Sequence, residues 1–279
     1  MRLTTVVIDG TTRAARLEGD DLVLLPAPDV GSLLRWEDWH TLASTADGTR
    51  IAAADAELGL LCPQPDKIIC VGLNYLSHIR EMKRDVPHYP TLFAKYSGAL
   101  LAPHAPIAVP PVSDQLDWEA ELAVVIGRPA RYVSAKEALE YVAGYTVGND
   151  ITVRDYQHRT REFLSGKTFE ATTPVGPVLV TPDELSVGGL GLDIRCAVDG
   201  ETRQASNTSD LLFTPADLIA YLSEILTLRP GDIILTGTPG GVGAGRDPQV
   251  WLRPGQMLTT EIEGIGTLRN RITKPEARP

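Results

Sequence analysis

A chain of 279 residues, 43% of them hydrophobic and 22% charged, can bury a sizeable core and is too apolar for intrinsic disorder. Its formal net charge of −10 repels phosphate, which argues against nucleic acid or an anionic membrane surface as partner.

The first elements are short and strand-like. LTTVVID and ARLEGDDLVLL alternate apolar and polar residues on either side of Asp9-Gly10, the pattern of a small antiparallel hairpin. A helical stretch, DVGSLLRWEDWHTLA, follows, and Pro63-Gln64-Pro65 then interrupts the chain as a linker would. This divides the sequence into a small N-terminal module, 1–65, and a larger domain, 66–279. In the second part KIICVGLN reads as a strand, and YLSHIREMKR as a helix that Asn74 could cap. Further strands are expected at ELAVVIG, PVGPVLV, LDIRCAVDG, DIILTGTP and MLTTEIEGIGTLRNRI, and helices at SAKEALEYVA and TPADLIAYLSEIL. Strands outnumber helices without alternating with them, so the expected class is strand-rich α+β rather than a doubly wound sheet. Cys62, Cys70 and Cys196 are an odd number without metal-site spacing, which points to reduced thiols. No run approaches the ~20 apolar residues of a membrane span, and the N-terminus lacks the apolar core of a signal peptide. A cytoplasmic protein is expected.

Four stretches carry chemistry. In DWEAELAVVIG, Glu119 and Glu121 stand two apart at the head of a strand, so both side chains point to one face. With Asp150 of GYTVGNDIT they form an oxygen-only set suited to a hard cation such as Mg²⁺ or Mn²⁺. Alone, such a pair also fits a solvated strand face. In NYLSHIREM, His78 and Glu81 share a helix face at i and i+3, where a carboxylate can orient an imidazole and raise its basicity. An exposed His/Glu pair is the competing explanation. The other histidines, His40, His88, His104 and His158, sit in no comparable setting and read as structural or solvated. In FLSGKTFE, Lys167 follows Gly166 and can supply a point charge to a developing enolate. In DIILTGTPGGVG, free backbone N–H groups and the Thr238 hydroxyl can hold a carboxylate; without Gly-Lys-Ser/Thr it is no nucleotide loop.

Taken in order, IICVGLNYLSHIREM, LDWEAELAVVIG, GYTVGNDITVRDYQ, GKTF and GDIILTGTPGGVG resemble the fumarylacetoacetate hydrolase superfamily over residues 66 to 273. The resemblance implies a mixed β-sandwich roll with a small N-terminal α/β module, and a homodimer. It implies that Glu119, Glu121 and Asp150 ligate Mg²⁺ or Mn²⁺, with Ca²⁺ a substitute. It makes His78 and Glu81 a water-activating dyad, and gives Lys167 and Gln157 the stabilisation of charge and the orientation of water or substrate. Thr238 would bind the substrate carboxylate. Asn74 and Tyr75 match the family's Asn-Tyr pair, and Lys95, in the lid-like segment RDVPHYPTLFAKYSG, would reach the substrate. Leu73 departs from the pattern, since many relatives carry Arg or Lys there.

The activity so implied is metal-dependent hydrolysis of a C–C bond in a small 2-oxo acid of the acylpyruvate or fumarylpyruvate kind, as in aromatic catabolism. Water deprotonated by His78 would attack the distal carbonyl, and Lys167 would help to neutralise the departing enolate. Two alternatives stay open. One is a 2-oxo acid isomerase or decarboxylase, of the 2-hydroxyhepta-2,4-diene-1,7-dioate isomerase or oxaloacetate decarboxylase type. The other is a non-catalytic, metal-dependent binding protein. The His78–Glu81 helix favours hydrolysis between them.

Overall fold

The computed structural model describes residues 1–81, 85–185 and 189–274. The hairpin forms as expected: β1 (Arg2–Ile8) and β2 (Thr11–Glu18) pair antiparallel across Asp9 and Gly10, whose φ angles are 49° and 74°. Two successive residues with positive φ give the turn whose twist matches that of the flanking strands. Three short strands complete this module, β3 (Asp21–Leu24), β4 (Arg50–Ala52) and β5 (Glu57–Leu58). The single helix expected between them is two, α1 (Val30–Leu33) and α2 (Trp39–Thr45). Leu33, Leu34, Trp39 and Ala43 are buried, whereas the intervening Arg35 to Asp38 are exposed and give a continuous helix nothing to bury.

The larger part begins with β6 (Ile68–Gly72), α3 (Leu76–Glu81) and β7 (Thr91–Lys95). The end of the expected YLSHIREMKR helix, 82–84, lies outside the described residues. Asn74 does not cap α3: its side chain bonds the Phe213 N–H and the carbonyls of Phe213 and Thr236. The cap comes from a distant loop, where Asp210 accepts the Ser77 N–H at 2.9 Å. The lid-like segment also differs from expectation, because Thr91 to Lys95 are strand β7, hydrogen-bonded antiparallel to β6.

Next come β8 (Leu100–Leu101), β9 (Ile107–Ala108), β10 (Leu116–Asp117), β11 (Ala120–Ile126), β12 (Val142–Asn149) and β13 (Thr152–Val153). The helix expected at SAKEALEYVA is instead a 3₁₀ turn, Ala138–Tyr141, leading straight into β12. Val142, Tyr145, Thr146 and Val147 supply the β-branched and aromatic side chains that a fully buried strand needs, and tertiary burial overrides local helix propensity. Two single-turn helices, α4 (Arg154–Gln157) and α5 (Leu164–Lys167), precede β14 (Thr173–Val180). The chain then forms β15 (Asp193–Val198), β16 (Glu201–Asn207), α6 (Pro215–Ile225), β17 (Ile233–Leu235), β18 (Met257–Ile262) and β19 (Gly266–Thr273). Helix α6 is the one expected at TPADLIAYLSEIL, opened by a complete capping box between Thr214 and Asp217.

A large sheet runs β4-β3-β2-β1-β14-β12-β11-β17-β6-β7, with β5 against β1 and β8 against β14. A second sheet, β16-β15-β18-β19-β9, packs on it, and β10 pairs with β13. The class is therefore strand-rich α+β, as expected. Successive side chains of β11 alternate between two cores. Leu122, Val124 and Ile126 enter the inter-sheet core with Tyr145, Leu218 and Leu258. Ala123 and Val125 point the other way, into a core shared with Leu3, Val30, Leu33 and Trp39 near the N-terminus. Burial on both faces explains the unbroken apolar run LAVVI that follows Glu121. No described helix is long and apolar enough to cross a membrane.

Candidate active site

The site is assembled where β11 and β12 end. Their register places Ala120 opposite Asn149 and Glu121 opposite Gly148, and the Asp150 N–H then bonds the Glu119 carbonyl at 2.8 Å. One carboxylate oxygen from each of Glu119, Glu121 and Asp150 falls within 4.8 Å of the others, and all three residues are buried. The expected pairing of the two glutamates with Asp150 is thus a geometric fact.

Cations surround this cluster. Lys167 donates from Nζ to Glu119 Oε2 and Asp150 Oδ2, each at 2.7 Å. Lys95 Nζ bonds the other Asp150 oxygen and the Ile151 carbonyl. Arg154 places Nη2 2.7 Å from Glu119 Oε1, donates Nε to Asp117 Oδ2 at 2.7 Å, and donates Nη1 to Gln157 Oε1 at 2.9 Å. Among the described residues Glu121 has no such cation, and its Oε2 accepts the Gly237 N–H at 2.7 Å. Burial, with Asp150 and Glu119 adjacent, pushes the Glu121 carboxyl well above its ordinary value. Burial opposes ionisation of Asp150 too, but Lys167 and Lys95 hold its carboxyl below the usual range. Burial likewise disfavours the Lys167 charge, yet Asp150 and Glu119 keep the ammonium above its ordinary value. A buried carboxylate without a cation, facing two others across a few ångströms, is the arrangement a hard divalent ion would complete. The donor set is all oxygen, so the residues present fit Mg²⁺ or Mn²⁺.

The cluster opens on a cavity of about 270 Å³. Glu119, Glu121, Arg154, Gln157 and Lys167 form its buried floor, and His78 and Thr238 stand on its sides. Val71, Leu73, Phe93, Phe163 and Val242 make the rest of the wall largely apolar. His78 Nδ1 lies 3.1 Å from Glu81 Oε2; if the proton is on Nδ1, Nε2 is left as the base. Glu81 itself is half exposed behind the ring. The Thr238 hydroxyl accepts from Gln204 Nε2 at 2.8 Å, which fixes its rotamer.

Two glycines make the assembly possible. A Cβ on Gly166 would lie 2.4 Å from the Gln157 backbone nitrogen, so only glycine lets α5 bring Lys167 against α4. Gly237 has φ +101°, and a Cβ there would lie 2.8 Å from that of Asn74.

Three expected substrate-binding residues lie elsewhere. Asn74 and Tyr75 are fully buried struts rather than cavity lining: Asn74 ties α3 to the 213 and 236 loops, and Tyr75 belongs to the inter-sheet core. Lys95 is buried behind Asp150, so it supports the carboxylate from the side away from the cavity. Sequence reasoning missed Arg154 and Asp117. Asp117 accepts the N–H groups of Trp118, Gly243 and Ala244 as well as Arg154 Nε, tying the cavity loop to the floor. The spacing of Arg154 and Gln157, three apart, was the available signal. His158, read as structural or solvated, lies on the cavity wall.

The fumarylacetoacetate (FAA) hydrolase C-terminal profile matches residues 67–273. The chain belongs to this family. Among its relatives, the oxaloacetate tautomerase Fahd2a, mitochondrial, of Rattus norvegicus is 46% identical over 210 residues, 75% of this chain and 67% of the relative. The HpcE protein of Mycobacterium smegmatis superposes with a TM-score of 0.91 at 37% identity, covering 99% of this chain and 100% of that one. Maleylpyruvate hydrolase from Sphingobium sp. SYK-6, solved in complex with manganese (II) ion and pyruvate, superposes with a TM-score of 0.83 at 28% identity, covering 99% and 100%. Family membership thus agrees with the resemblance carried by the motifs, and the family holds both tautomerase and hydrolase members.

Proposed function

We propose that this family member is a divalent-cation-dependent enzyme that interconverts the keto and enol forms of a small 2-oxo acid, oxaloacetate being the first to test. The observation that carries the reading is that Glu119, Glu121 and Asp150 converge on one side of the cavity that His78 also lines. The tautomerase relative, similar over three quarters of this chain, supports the choice of substrate. When bound by the three carboxylates, Mg²⁺ or Mn²⁺ supplies Lewis acidity toward adjacent 2-oxo and carboxylate oxygens.

The residues of the chain do the rest. Thr238 donates its hydroxyl to the substrate carboxylate while Gln204 holds the oxygen from behind. His78 Nε2 removes a proton from C3, the electron pair of that C–H bond becomes the C2–C3 double bond, and charge moves onto the 2-oxo oxygen. Lys167 offsets that charge, and Gln157, oriented by Arg154, hydrogen-bonds beside it. Returning the proton to oxygen gives the enol. The apolar wall keeps bulk water from C3.

A second reading is favoured by one observation, the 3.1 Å contact of His78 Nδ1 with Glu81 Oε2, which suits activation of water. In that reading the base takes a proton from water, hydroxide adds to the distal carbonyl of an acylpyruvate, and the C–C bond breaks to release an acid and the pyruvate enolate. The maleylpyruvate hydrolase relative supports it.

Deuterium uptake at C3 of oxaloacetate, followed by NMR with Mn²⁺ present, tests the first reading. Exchange above background should vanish in EDTA, and His78→Ala should lower it by at least ~10²-fold. Exchange at the wild-type rate in His78→Ala would refute the assigned base. Cleavage of an acylpyruvate in parallel, without catalysed exchange of oxaloacetate, would replace the first reading by the second.

A further inference from the structure

We infer that His158 recognises the distal carboxylate of a dicarboxylic 2-oxo acid, making it a specificity-determining residue. The inference rests on the enolisation reading above and assigns a group that the chemistry there leaves unused. His158 follows α4, and its N–H bonds the Arg154 carbonyl at 3.1 Å. His158 caps the turn that Arg154 opens, four residues on, which places it on the same side and about 6 Å farther along the axis. Arg154 lies in the floor against Glu119; His158 lies at the mouth, exposed yet part of the same wall. A four-carbon diacid whose 2-oxo end reaches the floor therefore extends its other carboxylate toward the mouth.

The alternatives along the rim are poor. Among the described lining residues, the other exposed side chains at the mouth are Thr91 and Gln249, both neutral, and one of the two Gln249 Nε2 donors is held by the Ala244 carbonyl at 3.2 Å. Leu73, Phe93, Phe163 and Val242 offer no donor. Arg159 is turned away, its guanidinium 3.3 Å from the centroid of the Tyr156 ring. The His158 imidazole makes no hydrogen bond among the described residues, so both ring nitrogens are available. Burial and then Arg154 hold the imidazole below its ordinary value, and the positive surroundings that do so also attract an anion.

Oxaloacetate and 2-oxobutyrate make the test, because they differ by a carboxylate in place of a methyl at C4. With Mn²⁺-loaded protein, C3 exchange is measured on both for wild type, His158→Ala and His158→Gln. A hydrogen bond to a charged group is lost in His158→Ala, so the preference for oxaloacetate in kcat/KM should fall on the order of tenfold, through KM. His158→Gln keeps a donor and should retain part of the preference. Calorimetric titration of the Mn²⁺-loaded proteins with the two acids should show the same ratio in Kd. An equal fall for both acids, or an unchanged ratio, would overturn the role of His158. If wild type exchanges neither acid, the enolisation reading fails, and the calorimetric ratio still decides whether His158 recognises the distal carboxylate.

Discussion

Replacing Lys167 by Met tests how the buried charges are balanced. The cluster holds the carboxylates of Asp117, Glu119, Glu121 and Asp150 against Lys95, Arg154 and Lys167. Burial and the two neighbouring carboxylates raise the proton affinity of Glu121, the one member of the four that no lysine or arginine contacts among the described residues. Methionine fills a similar volume without charge, leaving the two 2.7 Å contacts to Glu119 and Asp150 unmet. Breaking a buried pair by removing one partner costs about 3–5 kcal/mol. For a domain of this size that corresponds to a fall in Tm of roughly 6–20 °C. The fall should appear in EDTA. Saturating Mn²⁺ should restore much of it, because a cation bound by the same oxygens takes over the lost role and stabilises the folded state by mass action, about 2.7 kcal/mol at 100 times Kd. Removing a neighbouring positive charge should also tighten Mn²⁺ binding, even as catalysis is lost. Scanning calorimetry with EDTA and with Mn²⁺, and titration of Mn²⁺ into the apo protein, read these effects. An unchanged Tm in EDTA, or weaker Mn²⁺ binding than wild type, would refute the charge-balance reasoning.

Glu121→Gln should abolish measurable Mn²⁺ binding in titration calorimetry while leaving Tm in EDTA close to wild type, since that carboxylate has no cationic partner among the described residues. Gly166→Ala should lower both stability and activity, because its Cβ would meet the Gln157 backbone nitrogen at 2.4 Å; a Tm within 1–2 °C (roughly 0.5 kcal/mol) of wild type would disprove the close packing. Thr214→Ala removes the hydroxyl of the α6 capping box and should cost about 1 kcal/mol in denaturant unfolding, without altering Mn²⁺ affinity. Burial pushes the thiols of Cys62, Cys70 and Cys196 up, so a thiol reagent at pH 8 should react with none quickly in native protein and with all three after denaturation.

The convergence of the three carboxylates was legible because two features coincide: side chains two apart on a strand share a face, and the β11–β12 register brings Asp150 beside them. The sheet-dominated class was legible from alternation and from runs such as LAVVI. What could not be read was which side of a short motif faces the cavity. Asn74, Tyr75 and His78 are near neighbours in sequence, yet the first two brace the core and only the third lines the cavity. Lys95 and Lys167 both bond Asp150, from different sides, and nothing local to either lysine distinguishes them. Arg154 escaped because α4 is a single turn, too short for a 3.6-residue period to show. The ten-residue helix expected at SAKEALEYVA failed for another reason: its last two residues, Val142 and Ala143, are buried in β12, which leaves only the 3₁₀ turn Ala138–Tyr141 before it.

The two-sided burial of β11 makes the first 65 residues hard to exchange. Leu3, Val30, Leu33 and Trp39 fill the space against Ala123, Val125, Val175 and Leu235, while the neighbouring positions of the same strand lead to Glu121 and Glu119. A module grafted in their place would have to reproduce that apolar relief residue by residue. A poor copy would tilt the strand that carries the carboxylates, and the fault would register as lost metal affinity well before it registered as unfolding.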